Sequence, residues 1–302
     1  IINEAHTKGM IVPDKRYDRD STQAAGAYVA TPKKGMHKWV GSIDLNSLYP
    51  SIIRSCNMST ETIIGQVRHT FTRELLEKAK TIPEAWEGRF ATPEYELVMA
   101  KDTTEIMHID FEGGENFEAT GAEIYEIIFN SGQPWIISAN GTIFTYEKKG
   151  IIPGLLERWY AERKILQKNA IDAREEGGDK FAYWDKRQLV KKINLNSLYG
   201  ALLNPGSRFF DSRLGQSTTL TGRSIARHMA AKVNEIMAGE YNHVGDAIVY
   251  GDTDSTYFSA YPMLKSEIDK GEIQWDKDTI TSYYEAVCEE VNKTFPNYMN
   301  KA

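Results

Sequence analysis

The stretch Asp246-Ala-Ile-Val-Tyr-Gly-Asp-Thr-Asp-Ser-Thr-Tyr-Phe-Ser259 places two short apolar arms, AIVY and TYFS, on either side of GDTDS. Branched and aromatic residues in short runs, broken by Gly and Asp, read as strand, tight turn, strand. At the tip stand two acids one residue apart, Asp252 and Asp254. Alternate residues of a strand share a face, so the pattern allows both carboxylates to point the same way. Two carboxylates about 4 Å apart repel by ~4 kcal/mol at an effective dielectric of 20. A hairpin with apolar arms would not hold them together without a cation, and hard oxygen ligands in small number suit Mg²⁺. Alone, the same residues also make an ordinary turn, because Gly and Asp favour hairpin tips.

Two further stretches carry chemistry. Lys38–Leu45 (KWVGSIDL) is β-like and ends on Asp44, which opens Asp44-Leu-Asn-Ser-Leu-Tyr-Pro-Ser51. Pro50 makes the chain turn sharply after Asp44, and a short helix is expected over Ser51–Asn57. A lone acid at a strand end, followed by N–H groups gathered at a turn or helix start, can meet phosphate oxygens. The third stretch is Lys191-Lys-Ile-Asn-Leu-Asn-Ser-Leu-Tyr-Gly200. There Lys192, Asn196 and Tyr199 fall on one helical stripe, which could meet a phosphate, a sugar or base, and a base-pair plane. Taken singly, Asp44 could be a strand cap, Lys192 a solvated charge and Tyr199 a core residue.

Around these stretches, residues 1–40 read as an irregular approach with a short strand near Tyr28–Ala30. In the 66–145 block, Glu74–Lys80 looks helical, and Tyr95–Met99 and Glu105–Phe111 alternate as strands do. Asn140-Gly141 between two apolar runs is a hairpin signal. Gly150-Ile-Ile-Pro153 leads into a helix with Leu155, Leu156, Trp159, Ile165 and Leu166 on one face. Glu175–Asp179 breaks it, and a second helix over Lys180–Leu198 completes a helical hairpin. Further helices are expected at Leu214–Ala238, closed by Gly239, and at Thr279–Phe295. The six histidines, Trp159, Trp184 and Trp275 read as packing or surface residues. Thr60-Glu-Thr62 and Lys33-Lys34 read as surface.

With 302 residues, 41% hydrophobic and 26% charged, the composition excludes collagen-like, disordered and coiled-coil chains. The formal net charge of −6 argues against a non-specific nucleic-acid binder. Locally the balance reverses: Glu157–Lys192 holds ten basic and seven acidic residues, which leaves room for an anionic ligand. Cys56 and Cys288 make no disulfide framework and no zinc pattern, so a reducing compartment is expected. No stretch approaches the ~20 apolar residues that span a bilayer, and no signal segment opens the chain. The first residue is Ile1, so a fragment, a processed chain or a trimmed piece is expected.

Together, DLNSLYPS at Asp44–Ser51, KINLNSLYG at Lys192–Gly200 and YGDTDS at Tyr250–Ser255 resemble motifs A, B and C of family B DNA polymerases, in the family's order. The wording between them is most similar to replicative polymerases of tailed bacteriophages. Asn140-Gly141 before Gly150-Ile-Ile-Pro153, Arg208-Phe-Phe-Asp211 and Gly26-Ala-Tyr-Val29 carry this likeness. The resemblance implies an α/β (α+β) fold: a ferredoxin-like palm with an antiparallel sheet, and an inserted antiparallel helical-hairpin fingers subdomain. It implies palm over 1–150, fingers over 151–200 ending in motif B, and palm again over 201–302. The exonuclease and thumb domains would lie elsewhere, on a longer or a second chain.

The activity implied is template-directed transfer of a dNTP to a primer 3′-hydroxyl with two Mg²⁺ ions. Asp44, the Leu45 carbonyl and Asp254 would be the metal ligands, with Asp252 a secondary carboxylate. Backbone N–H groups of Ser47, Leu48 and Tyr49 would touch the β- and γ-phosphates. Tyr49 would lie under the sugar and exclude a 2′-hydroxyl. Arg163 and Lys192 would close on the triphosphate, and Asn196 and Tyr199 would contact the nucleotide and nascent pair. Primer–template DNA and dNTP are the expected partners, with a sliding clamp as a further candidate and no membrane. The expected location is the cytoplasm of an infected bacterial host.

The family usually has a lysine four residues after the fingers arginine, where this chain has Gln167; Lys168 follows it, and Lys164 and Lys168 keep the i, i+4 spacing. Two other classes fit part of the pattern: a primer–template-binding module without turnover of its own, and a palm-like nucleotide cyclase. Tyr49 and the SLYG helix speak against the cyclase, which needs neither a sugar gate nor a nascent-pair tyrosine.

Overall fold

A computed structural model of the chain describes residues 1–12, 14, 26–69, 104, 106–177 and 180–299. In chain order its elements are α1 (Ile2–Thr7), β1 (Gly41–Asp44), α2 (Leu48–Ser55), β2 (Ile63–His69), β3 (Ile106–Phe111), β4 (Asn116–Thr120) and α3 (Gly121–Phe129). There follow β5 (Trp135–Ile137), β6 (Thr142–Thr145), α4 (Ile151–Glu175), α5 (Lys180–Leu203) and α6 (Ser212–Ala238). The last are β7 (Ile248–Asp252), β8 (Ser255–Phe258), α7 (Tyr261–Asp269) and α8 (Lys277–Met299). The chain is thus a mixed fold of helices and antiparallel sheets, as expected. It divides into two units, one of Ile1–Ala25 with Tyr49–Leu220, the other of Gly26–Leu48 with Thr221–Ala302. No helix among the described residues is long and apolar enough to cross a membrane.

The second unit is built on a three-stranded antiparallel sheet of order β1-β8-β7. Its inward residues Ile43, Ile248 and Phe258 pack on Met229, Ala230 and Val233 of α6 and on Val287 and Val291 of α8. Gly41 lets α8 approach closely: a Cβ there would stand 2.6 Å from the Tyr284 ring. The Tyr284 hydroxyl in turn donates to the Trp39 carbonyl at 2.6 Å and accepts from the Ala260 amide at 3.0 Å. His228 is buried between the Tyr241 hydroxyl and Thr294 Oγ1, each at 2.9 Å, and stacks on Tyr298. Burial pushes its imidazole down to about 4, so it is a neutral packing residue.

The first unit holds a five-stranded antiparallel sheet of order β4-β3-β2-β6-β5. Val67, Met107, Ile109, Ala119, Ile137 and Ile143 face Ile124 and Ile128 of α3. A Thr120/Glu123 capping box starts α3. The β5–β6 hairpin turns at Asn140-Gly141, as its dipeptide indicates. The α4–α5 pair is the expected helical hairpin.

Several expectations change. The segment Glu74–Lys80 and the strand Tyr95–Met99 lie outside the described residues. α1, α3, α7, β2 and β4 were not among the sequence expectations. α2 starts at Leu48, three residues before the expected Ser51, because Pro50 sits in its first turn, where a missing N–H costs nothing. α8 runs past Phe295 to Met299 although Pro296 lies inside it, and the Tyr298 hydroxyl fastens it to the Ser224 carbonyl at 3.2 Å. On α4, Leu155 and Leu156 are buried but Ile165 is 62% exposed, and Ala170 and Ala173 are buried in the distal turns. Small side chains let α5 pack closely there.

Phe258 is 1% exposed and joins the sheet to α8. Phe258→Ala should destabilise the second unit by about 3–5 kcal/mol, the usual range for a buried Phe truncated in a packed core. Urea unfolding measures this, and a loss below ~1 kcal/mol would show that the core is not organised around this ring.

Candidate active site

The acidic corner lies in the second unit. Asp44 ends β1 and pairs with Ser255 of β8, and the Leu45 N–H donates to the Asp254 carbonyl at 2.8 Å. β7 and β8 close at Asp252 opposite Ser255, which leaves Thr253 and Asp254 as a two-residue loop. Asp254 N–H donates back to the Asp252 carbonyl at 2.6 Å across Thr253, whose φ is 56°. A β-branched residue at positive φ is strained, at about 1–3 kcal/mol. Three contacts hold it there: Thr253 N–H to the Tyr28 carbonyl at 2.9 Å, Ala30 N–H to the Gly251 carbonyl at 2.8 Å, and a bridge between Val29 and Asp252.

This geometry corrects the alternation reading of the two acids. Asp252 is the last strand residue and is exposed; its carboxylate accepts from Thr253 Oγ1 at 2.9 Å and from the Tyr250 hydroxyl at 3.4 Å. Asp254 is in the turn, half-buried against the end of β1. The Asp254 carboxyl is held above its ordinary value, first by burial, then by the charge of Asp44, and further by Asp252. A half-buried carboxyl set beside two further acids fits a divalent cation. Among the described residues, no group of three or more His, Cys, Asp or Glu side chains is arranged to hold a metal unaided. The Asp44 and Asp254 carboxylates are a partial donor set, of the hard-oxygen kind that could hold Mg²⁺ with waters and phosphate oxygens as its other ligands.

Beyond Leu45 the chain turns at Ser47, whose φ is 53°, and enters α2 at the buried Leu48. The amides of Leu48 and Tyr49 belong to the first helical turn, whose N–H groups point outward along the axis. In the first unit, the rings of Tyr49 and Tyr199 meet with centroids 4.6 Å apart, tilted by 44°. The Tyr199 hydroxyl is pushed well above its ordinary value by burial and by Tyr49, against a hydrogen bond with Thr219. Lys192 and Asn196 are exposed on α5, on the stripe that leads to Tyr199.

Arg163 is half-buried on α4, and its Nε donates to Gln188 Oε1 on α5 at 3.4 Å. Gln188 stands one turn before Lys192, so the two cations approach the same level of the hairpin from opposite arms. Beside them Lys191 is paired with Glu162. Lys164 lies over the Tyr160 ring, 5.5 Å from its centroid, while Gln167 is half-buried and Lys168 exposed.

A family model described as DNA polymerase family B matches residues 1–299. The chain belongs to DNA polymerase family B. It is 28% identical over 273 residues to the DNA-directed DNA polymerase of Escherichia phage RB69, covering 87% of this chain and 29% of that one. It is 29% identical over 245 residues to the DNA-directed DNA polymerase of Enterobacteria phage T4, covering 77% and 26%. It is 26% identical over 272 residues to the DNA polymerase alpha catalytic subunit of Arabidopsis thaliana, covering 90% and 12%. The chain therefore spans less than a third of the length of these relatives.

Because the folded protein holds the Asp254 pKa above 3.8, ionising that group costs stability as pH rises through the raised value. Asp254→Asn removes the cost. In EDTA at neutral pH the variant should melt at a higher temperature than wild type, and the gap should shrink as pH falls through the raised value and close below 3.8, where the carboxyl is protonated in both the folded and the unfolded chain. Calorimetry at a series of pH values decides this; a variant that melts lower at neutral pH would show that the carboxylates do not repel as described.

Proposed function

We propose that this chain is the palm and fingers portion of a DNA polymerase, with palm over 1–150 and 201–302 and fingers over 151–200. Its reaction is template-directed transfer of a deoxynucleotide to a primer 3′-hydroxyl, in replication of the kind bacteriophages carry out in an infected bacterial cell. The observation that carries this reading is the family match across residues 1–299, which contains all three acidic and nucleotide motifs in order. The acidic corner, with its strained turn and the raised Asp254 carboxyl, supports it independently.

In this reading Asp44, the Leu45 carbonyl and Asp254 hold two Mg²⁺ ions, and Asp252 stands near as a secondary carboxylate. The ions, when bound, lower the pKa of the primer hydroxyl and neutralise charge on the triphosphate. The N–H groups of Ser47, Leu48 and Tyr49 bind the β- and γ-phosphates, as helix-start amides do. Arg163 supplies a planar fork to phosphate and Lys192 a point charge. Tyr49 stacks under the sugar and leaves no space for a 2′-hydroxyl; its contact with Tyr199 supports this role by stiffening the ring. Asn196 and Tyr199 read the nucleotide and the nascent pair. Primer–template DNA, dNTP, and exonuclease and thumb domains on the remainder of a longer chain or on a second chain are the partners, together with a sliding clamp.

The test is single-nucleotide primer extension by the purified chain with Mg²⁺ and a matched dNTP. Wild type should extend, Asp44→Asn should fall by at least ~10³-fold, in keeping with the loss of a ligand to the ions that neutralise charge in the transition state, and Tyr49→Ala should accept ribonucleotides. Extension retained by Asp44→Asn, or sugar discrimination unchanged in Tyr49→Ala, would remove the reading.

A further inference from the structure

Thr60-Glu-Thr62 is not the plain surface its sequence indicates. Thr62 and Ser59 are fully buried and Asn57 is 5% exposed. The segment provides the N-terminal cap that α4 lacks. Gly150, at the N-cap of α4, has no side chain to offer, and the first turn of the helix contains no acid. Its opening amides are those of Gly150, Ile151 and Ile152, since Pro153 has none. Each meets a side chain from Asn57–Glu61: Gly150 N–H donates to Asn57 Oδ1 at 3.0 Å, Ile151 N–H to Glu61 Oε1 at 2.6 Å, and Ile152 N–H to Ser59 Oγ at 3.5 Å. The carboxylate of Glu61 also places negative charge at the positive end of the helix dipole.

The cap is built into its surroundings. Asn57 Nδ2 donates to the Thr145 and Lys148 carbonyls, both at 2.8 Å, and Ser59 Oγ donates to Glu61 Oε2 at 2.7 Å. A Cβ on Gly150 would stand 2.8 Å from Ser59 Cβ, so only glycine admits this approach. The same Asn57 ends α2. It stands in the left-handed region with φ 51°, its N–H donates to the Arg54 carbonyl and Met58 N–H to the Ile53 carbonyl. That is a Schellman end with Asn at C′. One residue thus closes the helix that begins beside Tyr49 and opens the helix that carries Arg163. A second contact joins the same pair of helices: the Arg54 guanidinium lies 4.4 Å from the Tyr160 ring centroid, three residues before Arg163.

We propose that Asn57 and Glu61 are positioning residues, which lock the direction of the α4–α5 hairpin to α2 and so set where Arg163 stands relative to Tyr49. This rests on the polymerase reading above for what Arg163 and Tyr49 do. The lever is long. Arg163 lies twelve residues beyond Ile151, about 18 Å along the axis at 1.5 Å per residue. A tilt of roughly 10° at the base would move it by about 3 Å, and misplacement of even ~1 Å can cost on the order of a hundredfold in rate.

Glu61→Ala and Glu61→Gln test the lock in the full chain, because Gln keeps the acceptor and Ala removes it. Spin labels at Glu176, at the tip of the hairpin, and at Glu118, on β4, report the hairpin's direction within the first unit. Glu61→Ala should widen the distance distribution and Glu61→Gln should stay near wild type. In primer extension, Glu61→Ala should raise the dNTP KM about tenfold or more with a smaller change in kcat, and the effect should vanish in an Arg163→Ala background. A loss of fold alone would not single out KM or depend on Arg163. An unchanged distance distribution, or an equal penalty with and without Arg163, overturns the proposal. A wild-type chain that adds no nucleotide counts against the polymerase reading instead, and the distances still decide the lock.

Discussion

Like charge at one end of a small sheet is the constraint around which the second unit is organised. Burial, then the charge of Asp44 and that of Asp252, raise the cost of ionising Asp254, so the backbone must hold what electrostatics would separate. It does so with the β1–β8 pairing, the Leu45-to-Asp254 hydrogen bond and a Thr253 kept at positive φ by the Tyr28–Ala30 segment. Below that corner lie Phe258, Ile43 and Ile248, packed on α6 and α8. The apolar packing offsets the strain at the tip, a division commonly found where a site needs a geometry that the chain does not favour.

The first unit answers a different constraint, the unsatisfied backbone at helix and strand ends. Asn140 stands in a hairpin turn, yet it is buried: its Oδ1 accepts from Ser138 Oγ at 2.7 Å and Ser217 Oγ at 2.8 Å, and its Nδ2 donates to the Arg213 carbonyl at 3.1 Å. The Asn57 side chain does the same for the Thr145 and Lys148 carbonyls and for the start of α4. In both places a short amide side chain, tolerated at turns, satisfies several backbone groups that would otherwise be buried without partners. Each residue therefore fixes the direction in which a following element leaves.

Sequence was most informative where chemistry and local period coincide. Asp44 at a strand end, the apolar arms around GDTDS, the helical hairpin and the Lys192–Asn196–Tyr199 stripe could all be read from spacing, because each is set by residues within one turn or one strand. The position of Asp254 in the turn, off the strand alternation, could not, since it depends on Tyr28 more than two hundred residues away in the chain. Glu61 is illegible for the same reason: a polar Thr-Glu-Thr has the composition of a surface, and only its partner at Ile151 makes it a cap. The Ser59–Thr62 hydroxyl spacing was a usable signal for a helix-type turn, but it carries no information about which second helix it would serve. Period alone puts Ile165 on a core face, while the buried residues of the hairpin's distal turns are Ala170 and Ala173.

The carboxylate corner predicts its own ligand. Calorimetric titration of the chain with Mg²⁺ in the presence of a non-hydrolysable dNTP analogue should show binding of two ions, lost or reduced to one in Asp254→Asn. Absence of Mg²⁺ binding in the wild-type chain, or identical binding in the variant, would contradict the assignment of Asp44 and Asp254 as a cation seat.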